Sequence, residues 1–402
     1  MTLFVTRNFL EDMALIMFVA ALAANLCQWM HQPLMVGYLI TGIVVGPNVP
    51  GLYANPERIQ SVSNLGVILL VFSIGLEFKF RRLIRLAPTA GFVAVVQAAS
   101  MILLGYLVAR LRGWTPWESL LTGSMVAFSG AVVLAKALEE VQVQSRVREL
   151  VFGMVLCEDL LAILLVAVLT TLANGGTASL HGFSITAALP GLFILALIVV
   201  GWITVPYLVR GVARFKQQET MLITAMGLCF VFATVAERAG YSVAIGAYLA
   251  GSLVAESEMG DEVNKLMESV RDIFGAIFFV SVGMLVEPQV VVGHWRVLAI
   301  LTAVAIVGKI VVVALSSMAI GERSDTAVQA GFAMAQVGPV FAYLIADVAQ
   351  RGGAARTFLC SLAIAVSTIT AFLSPFLIRK SDSAAKWLDR RISGPVQGAI
   401  DG

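Results

Sequence analysis

The chain has 402 residues, of which 59% are hydrophobic and only 13% charged, and its net charge is +2. Soluble domains carry roughly twice that charged fraction, so a water-soluble globule is excluded and lipid must solvate most of the surface, in keeping with a mean hydropathy of +0.91. So even a charge balance gives no basis for binding nucleic acid.

A membrane-crossing helix needs about 20 mainly apolar residues. Applied along the chain, that length predicts thirteen spans, near 9–30, 33–49, 59–77, 86–109, 116–138, 147–173, 183–209, 219–237, 241–256, 268–287, 293–319, 324–349 and 354–378. No signal-peptide cleavage pattern precedes the first, which reads as a span. The cysteines Cys27, Cys157, Cys229 and Cys360 all sit inside apolar runs without ligand spacing, and read as buried thiols. His31, His181 and His294 lie near span ends, so neither a resident metal nor any cofactor is expected.

An odd number of spans puts the termini on opposite sides. Loops on the side of the C-terminus hold seventeen Lys and Arg, among them Lys79, Arg81, Arg82, Arg85, Arg210, Arg214, Lys380 and Arg390; the other side holds eight. The positive-inside rule therefore predicts a cytoplasmic C-terminus and an N-terminus outside, in a multi-pass protein of the bacterial inner membrane.

An internal repeat runs through these spans. Gly37-Tyr38-Leu39 with Gly42 in span two matches Ala247-Tyr248-Leu249 with Gly251 in span nine. Phe72-Ser73-Ile74-Gly75-Leu76 in span three matches Val280-Ser281-Val282-Gly283-Met284 in span ten, and Ser129-Gly130 in span five aligns with Gly338-Pro339 in span twelve. The tyrosines are 210 residues apart, the serines and the glycines Gly130 and Gly338 208. Matched spans are seven apart, an odd number, so the halves must be inverted, the plan of many secondary transporters. Gly and Pro at mid-membrane weaken a helix, and freed backbone groups survive there only beside protein or a watery cavity. Ser129, Gly130, Gln336, Gly338 and Pro339 therefore predict two crossed, discontinuous helices lining a cavity. Close helix packing is the blander use of a single such glycine.

Ionisable groups at membrane depth cost on the order of 2.5–3.5 kcal/mol each and default to function. Most acids here, Glu77 among them, lie near span ends and read as interfacial. Two sites remain. Glu158-Asp159 is embedded in Val155-Leu156-Cys157-Glu158-Asp159-Leu160-Leu161, and Lys309 is equally isolated in Ile306-Val307-Gly308-Lys309-Ile310-Val311. Successive helical residues point about 100° apart, so one carboxylate can face Lys309 while the other faces an ion path. A plain buried ion pair would leave one carboxylate unmatched at high cost. Low dielectric favours a protonated acid and a nearby cation favours an ionised one; a carboxylate balanced between the two holds either a proton or a bare monovalent cation. That competition, with alternating access, suffices for antiport.

The motifs resemble the membrane domain of the monovalent cation:proton antiporter-2 family, which includes Kef-type potassium efflux systems and bacterial Na⁺/H⁺ antiporters. The resemblance rests on Gln32-Pro33 through Gly46-Pro47, on Leu65-Gly66 through Glu77, on Ala244 through Gly251, and most specifically on Arg271-Asp272 through Phe278-Phe279-Val280-Ser281-Val282-Gly283-Met284. It implies an all-α polytopic protein over 1–380, with crossed discontinuous helices. It implies a homodimer whose dimer domain comprises spans near 9–77 and 219–287. A mobile core would comprise spans near 86–173 and 293–378, joined by a linker helix near 183–209 and followed by a cytoplasmic tail at 381–402. Elevator-like movement of the core would expose Asp159, the cation- and proton-binding carboxylate, to alternate sides. Glu158 would tune it and Lys309 would be the charge partner of Glu158. The partners implied are K⁺ or Na⁺, the proton, the lipid bilayer, a second copy, and a cytoplasmic regulatory domain or subunit.

The chain departs from the family pattern in places. Glu158 stands where relatives commonly show Gln or Asp. Pro339 follows the span-twelve glycine where many have an acid, and Phe128-Ser129-Gly130 replaces Ser-Ser-Thr. No G-x-G-x-x-G nucleotide-binding fingerprint follows Pro395, so the expectation is a short transporter or a piece of a longer one. Two other readings share the scaffold: a gated potassium efflux channel or uniporter, and a membrane sensor that does not transport. A sensor has little reason to keep Glu158, Asp159 and Lys309 together.

Overall fold

The computed structural model describes residues 9–47, 56–77, 87–130, 134, 145–173, 197, 199–205, 207–208, 211–212, 217–351 and 356–397. All regular structure among the described residues is helical, as a chain solvated by lipid requires, because a helix satisfies its own backbone. The first half contains α1 (Phe9–Trp29), α2 (Leu34–Val45) and α3 (Pro56–Glu77). A π turn at Ala87–Gly91 then leads into α4 (Phe92–Leu111), followed by α5 (Pro116–Ala127) and α6 (Ser145–Ala173). The second half contains α7 (Gln218–Arg238), α8 (Val243–Ala255), α9 (Gly260–Met284) and the short α10 (Pro288–Gly293). It continues with α11 (Trp295–Ala319), α12 (Ser324–Ala333), α13 (Pro339–Arg351) and α14 (Arg356–Gln397).

Among the described residues six helical stretches are long and apolar enough to cross a membrane: Phe9–Trp29, Pro88–Leu111, Ser145–Ala173, Gln218–Arg238, Trp295–Ala319 and Phe358–Lys386. Shorter apolar helices lie among them. The expected linker span near 183–209 lies mostly outside the described residues. Helix α9 begins at Gly260, well before the expected 268. Its first turns are amphipathic, with Val263 and Met267 buried among Asp261, Glu262 and Lys265, a pattern that an apolar-length count passes over. Helix α14 continues past Lys380 with Ser381 and Ala385 buried, and Ala385 packs with Ala314 and Val328.

The inverted repeat is built into the backbone. Helix α1 turns into α2 through His31, the only non-glycine residue at positive φ among those described (53°), and α7 turns into α8 through Gly240 (84°). Helix α4 leaves through Gly113 (81°) and α11 through Gly321 (89°). These pairs are 209 and 208 residues apart. The close approaches repeat as well. Gly42 of α2 lies against Val280 and Gly283 of α9, while Gly251 of α8 lies against Phe72 and Gly75 of α3. Exchanging the halves converts one contact into the other. In the same way Gly123 rests on the Ile102 carbonyl and Gly331 on the Ile310 carbonyl. Where a Cβ would strike backbone, only glycine permits the approach.

The helices gather into two bundles. Helices α1, α2, α3, α7, α8 and α9 pack chiefly on one another, and α4, α5, α6, α11, α12, α13 and α14 do the same. The bundles meet where α6 touches α8 and α14 touches α2. On this seam Phe278 of α9 lies edge-on to Tyr343 of α13, with ring centroids 5.3 Å apart.

Candidate functional site

Two helices of the second bundle stop at mid-course. Helix α5 opens on a capping box, in which Thr115 and Glu118 satisfy each other's backbone and Pro116 fixes the first turn. It ends at Ala127, and Phe128 is extended. Helix α12 ends at Ala333, and α13 resumes at Pro339. Pro339 has no N–H to donate and suits the first position of a helix. The extended segments cross at Gly130 and Gly338. A Cβ on Gly338 would lie 2.8 Å from the Ser129 carbonyl oxygen and 3.0 Å from the Gly130 nitrogen. One on Gly130 would lie 3.1 Å from the Gly338 Cα.

Buried backbone freed by such breaks must find partners. The Gly338 N–H donates to the Phe128 carbonyl at 2.9 Å. Gln336 Nε2 donates to the Gly130 carbonyl at 2.8 Å, and Ser129 Oγ donates to the Met334 carbonyl at 3.2 Å. Helix α14 supplies Thr370, whose Oγ1 accepts from the Val337 N–H at 3.0 Å, and Ser367, whose Oγ donates to the Val337 carbonyl at 2.8 Å. Gln97 of α4 closes the end of α5, with Nε2 donating to the Ala127 carbonyl at 2.6 Å. Ser129, Gln336, Gly338 and Pro339 are buried and Gly130 half-buried, packed against one another as a tight crossing.

Lys309 is fully buried on α11. Its ammonium donates to the Gln336 carbonyl at 2.8 Å and to Ser129 Oγ at 3.0 Å, so one side chain ties both broken helices. Glu158, on the facing side of α6, accepts the Ser129 N–H through Oε2 at 2.8 Å. The expected Glu158–Lys309 relation therefore runs through Ser129, and no direct ion pair joins the two among the described residues.

Asp159 points elsewhere, as its position one residue on requires. It is 4% exposed and its Oδ1 has no hydrogen-bond partner, like Oε1 of Glu158. Its carboxylate is within Coulombic reach of Glu158 and also of Glu77. Glu77 ends α3 in the first bundle and pairs with Arg271 of α9 at 3.7 Å. Helix α8 of the first bundle, which carries Tyr248, packs on α6. Asp159 thus sits on the second bundle at the seam with the first.

Glu77 and Gln97 were not singled out by sequence reasoning. Glu77 reads as interfacial because it ends an apolar run beside basic residues. Gln97 carried a signal that could have found it, as a carboxamide in the apolar run Phe92–Ala98. Among the described residues no group of three or more His, Cys, Asp and Glu could hold a metal.

A two-bundle helical protein with an inverted repeat and crossed half-helices has the architecture of an ion exchanger. The chain belongs to the sodium/hydrogen exchanger family, whose transmembrane region matches residues 14–379. This is a family of exchangers rather than enzymes, and the resemblance to cation:proton antiporter-2 proteins holds. The chain is 30% identical over 355 residues to YbaL of Escherichia coli, which is named for cation/proton antiport, covering 85% of this chain and 63% of that protein. It is 27% identical to K⁺ efflux antiporter 4 of Arabidopsis thaliana, of which it spans 60%. It is 26% identical to the Na⁺/H⁺-K⁺ antiporter GerN of Bacillus cereus, covering 92% of this chain and 95% of GerN. The fold matches the sodium proton antiporter MjNhaP1 of Methanocaldococcus jannaschii with a TM-score of 0.70 at 14% identity, over 94% of this chain and 97% of that one.

Proposed function

We propose that the chain exchanges a monovalent cation, K⁺ or Na⁺, for protons, with Asp159 binding either ion in turn. The observation that carries this reading is the crossing at Gly130 and Gly338 beside two buried carboxylates. Each half-helix directs a terminal dipole at one region. Both carboxylates keep an oxygen without a donor, but Glu158 is engaged through its other oxygen with the Ser129 backbone. A carboxylate in the position of Asp159 can hold a proton, or can hold a cation whose lost waters are replaced by backbone and side-chain oxygens. The two cannot share it, so each displaces the other.

Alternating access follows from the two bundles. Asp159 rides on the second bundle and faces the first, so a shift of one against the other would present it to either side. In this reading the first bundle forms the homodimer and the C-terminus lies in the cytoplasm of a bacterial cell. The names of YbaL, GerN and the Arabidopsis antiporter support the same reaction class for this chain.

The test is proton flux in proteoliposomes loaded with a pH dye and given an imposed K⁺ or Na⁺ gradient. Wild-type protein should move protons against either or both cations, and Asp159→Asn should not. Absence of cation-driven proton flux at every pH, or a mutant as active as wild type, would reject antiport at Asp159.

A further inference from the structure

The two half-helix ends at the crossing are treated unequally. Each ends with carbonyls at membrane depth, where the C-terminal end of a helix carries roughly half a negative charge. Past both ends, Lys309 donates to the Gln336 carbonyl and to Ser129 Oγ and brings a full positive charge to the crossing. At the end of α5, Gln97 donates to the Ala127 carbonyl at 2.6 Å and brings none. Gln97 is fully buried and its Oε1 has no hydrogen-bond partner. A buried acceptor without a donor calls for an explanation. The two donors are placed alike: by the 208-residue offset Lys309 corresponds to Met101, one helical turn from Gln97 on the same helix.

We propose that Gln97 is a positioning residue of the exchange site, holding the end of α5 with a neutral donor so that this end keeps its negative potential for the incoming cation. Lys309 already brings one positive charge to the crossing, and the carboxamide adds no second one at the carbonyl end of α5. From Ala127 the chain runs through Phe128 to Ser129, whose N–H holds Glu158, so the position of the α5 end also sets where that carboxylate lies beside Asp159. The Gln97 Oε1 adds an uncommitted acceptor at the same end. This inference rests on the exchange reading.

The helices packed on α4 are α5, α6 and α11. These helices carry Cys157, Glu158 and Asp159 (α6) and Lys309 (α11) as buried titratable groups. Three variants separate positioning from mere packing. Gln97→Met keeps the volume and removes the donor, and should raise the apparent KM for the cation about tenfold, the scale of one lost buried hydrogen bond. Gln97→Lys should remove most cation-driven flux by cancelling the potential of the α5 end. Gln97→Glu can donate only when protonated, so its activity should be near that of wild type at acid pH and fall toward alkaline pH earlier than in wild type. Flux is measured in proteoliposomes with wild type and Asp159→Asn alongside, and folding is checked by detergent-solubilised Tm.

If wild type exchanges and Asp159→Asn does not, the exchange reading stands and the Gln97 variants decide this inference alone. A wild-type KM in Gln97→Met, or a Gln97→Glu pH profile that follows Gln97→Met, would overturn it. Should Gln97→Met fail to fold, the Gln97→Glu profile decides.

Discussion

Three residues organise the site, and the least conspicuous of them joins the other two. Ser129 gives its N–H to Glu158 and its hydroxyl to the Met334 carbonyl, and the same hydroxyl accepts from Lys309. Glu158 and Lys309 were legible in the sequence because a charge in an apolar run is costly and conspicuous. Their link through Ser129 was not, since a serine near a helix break fits many roles. Gln97 stayed hidden for a related reason, as a neutral amide disturbs an apolar run far less than a charge does. Lys309→Ala leaves the Gln336 carbonyl without its donor, at a cost of about 1–3 kcal/mol. We expect a lower Tm and an altered pH profile with exchange retained. Complete loss of exchange in a variant with wild-type Tm would place Lys309 in the ion-binding step itself.

At the scale of elements, the breaks in α5–α6 and α12–α13 could be read from their Gly, Ser and Pro residues. What heals them could not. The Val337 peptide is held by Ser367 and Thr370 of α14, and no local pattern connects those residues to a break some thirty positions earlier. Helix α9 exceeded its expected length because its first turns are amphipathic rather than wholly apolar. The crossing itself has little tolerance. A methyl group at residue 338 meets the Ser129–Gly130 peptide, next to the Phe128 carbonyl that holds the Gly338 N–H. Gly338→Ala should therefore lose about 1–3 kcal/mol of stability and most of its transport. Unchanged Tm and flux would mean that the crossing can open without harm.

For the whole molecule, the repeat was the most readable feature, since three short matches at nearly one offset implied inverted halves. The structure extends it to paired turns at His31 and Gly240 and at Gly113 and Gly321, and to paired glycine contacts that exchange partners between the halves. The sorting of helices into two bundles depends on contacts between segments far apart in sequence, and came only with the family resemblance. Asp159 belongs to one bundle and faces the other, which is where a carboxylate must lie to be offered to either side in turn. Direct cation binding to the purified protein across a pH series tests this most closely. If proton and cation compete for Asp159, the apparent Kd for K⁺ or Na⁺ should rise by up to about tenfold per unit of falling pH, and binding should vanish in Asp159→Asn. Cation affinity independent of pH, or retained in Asp159→Asn, would contradict the account.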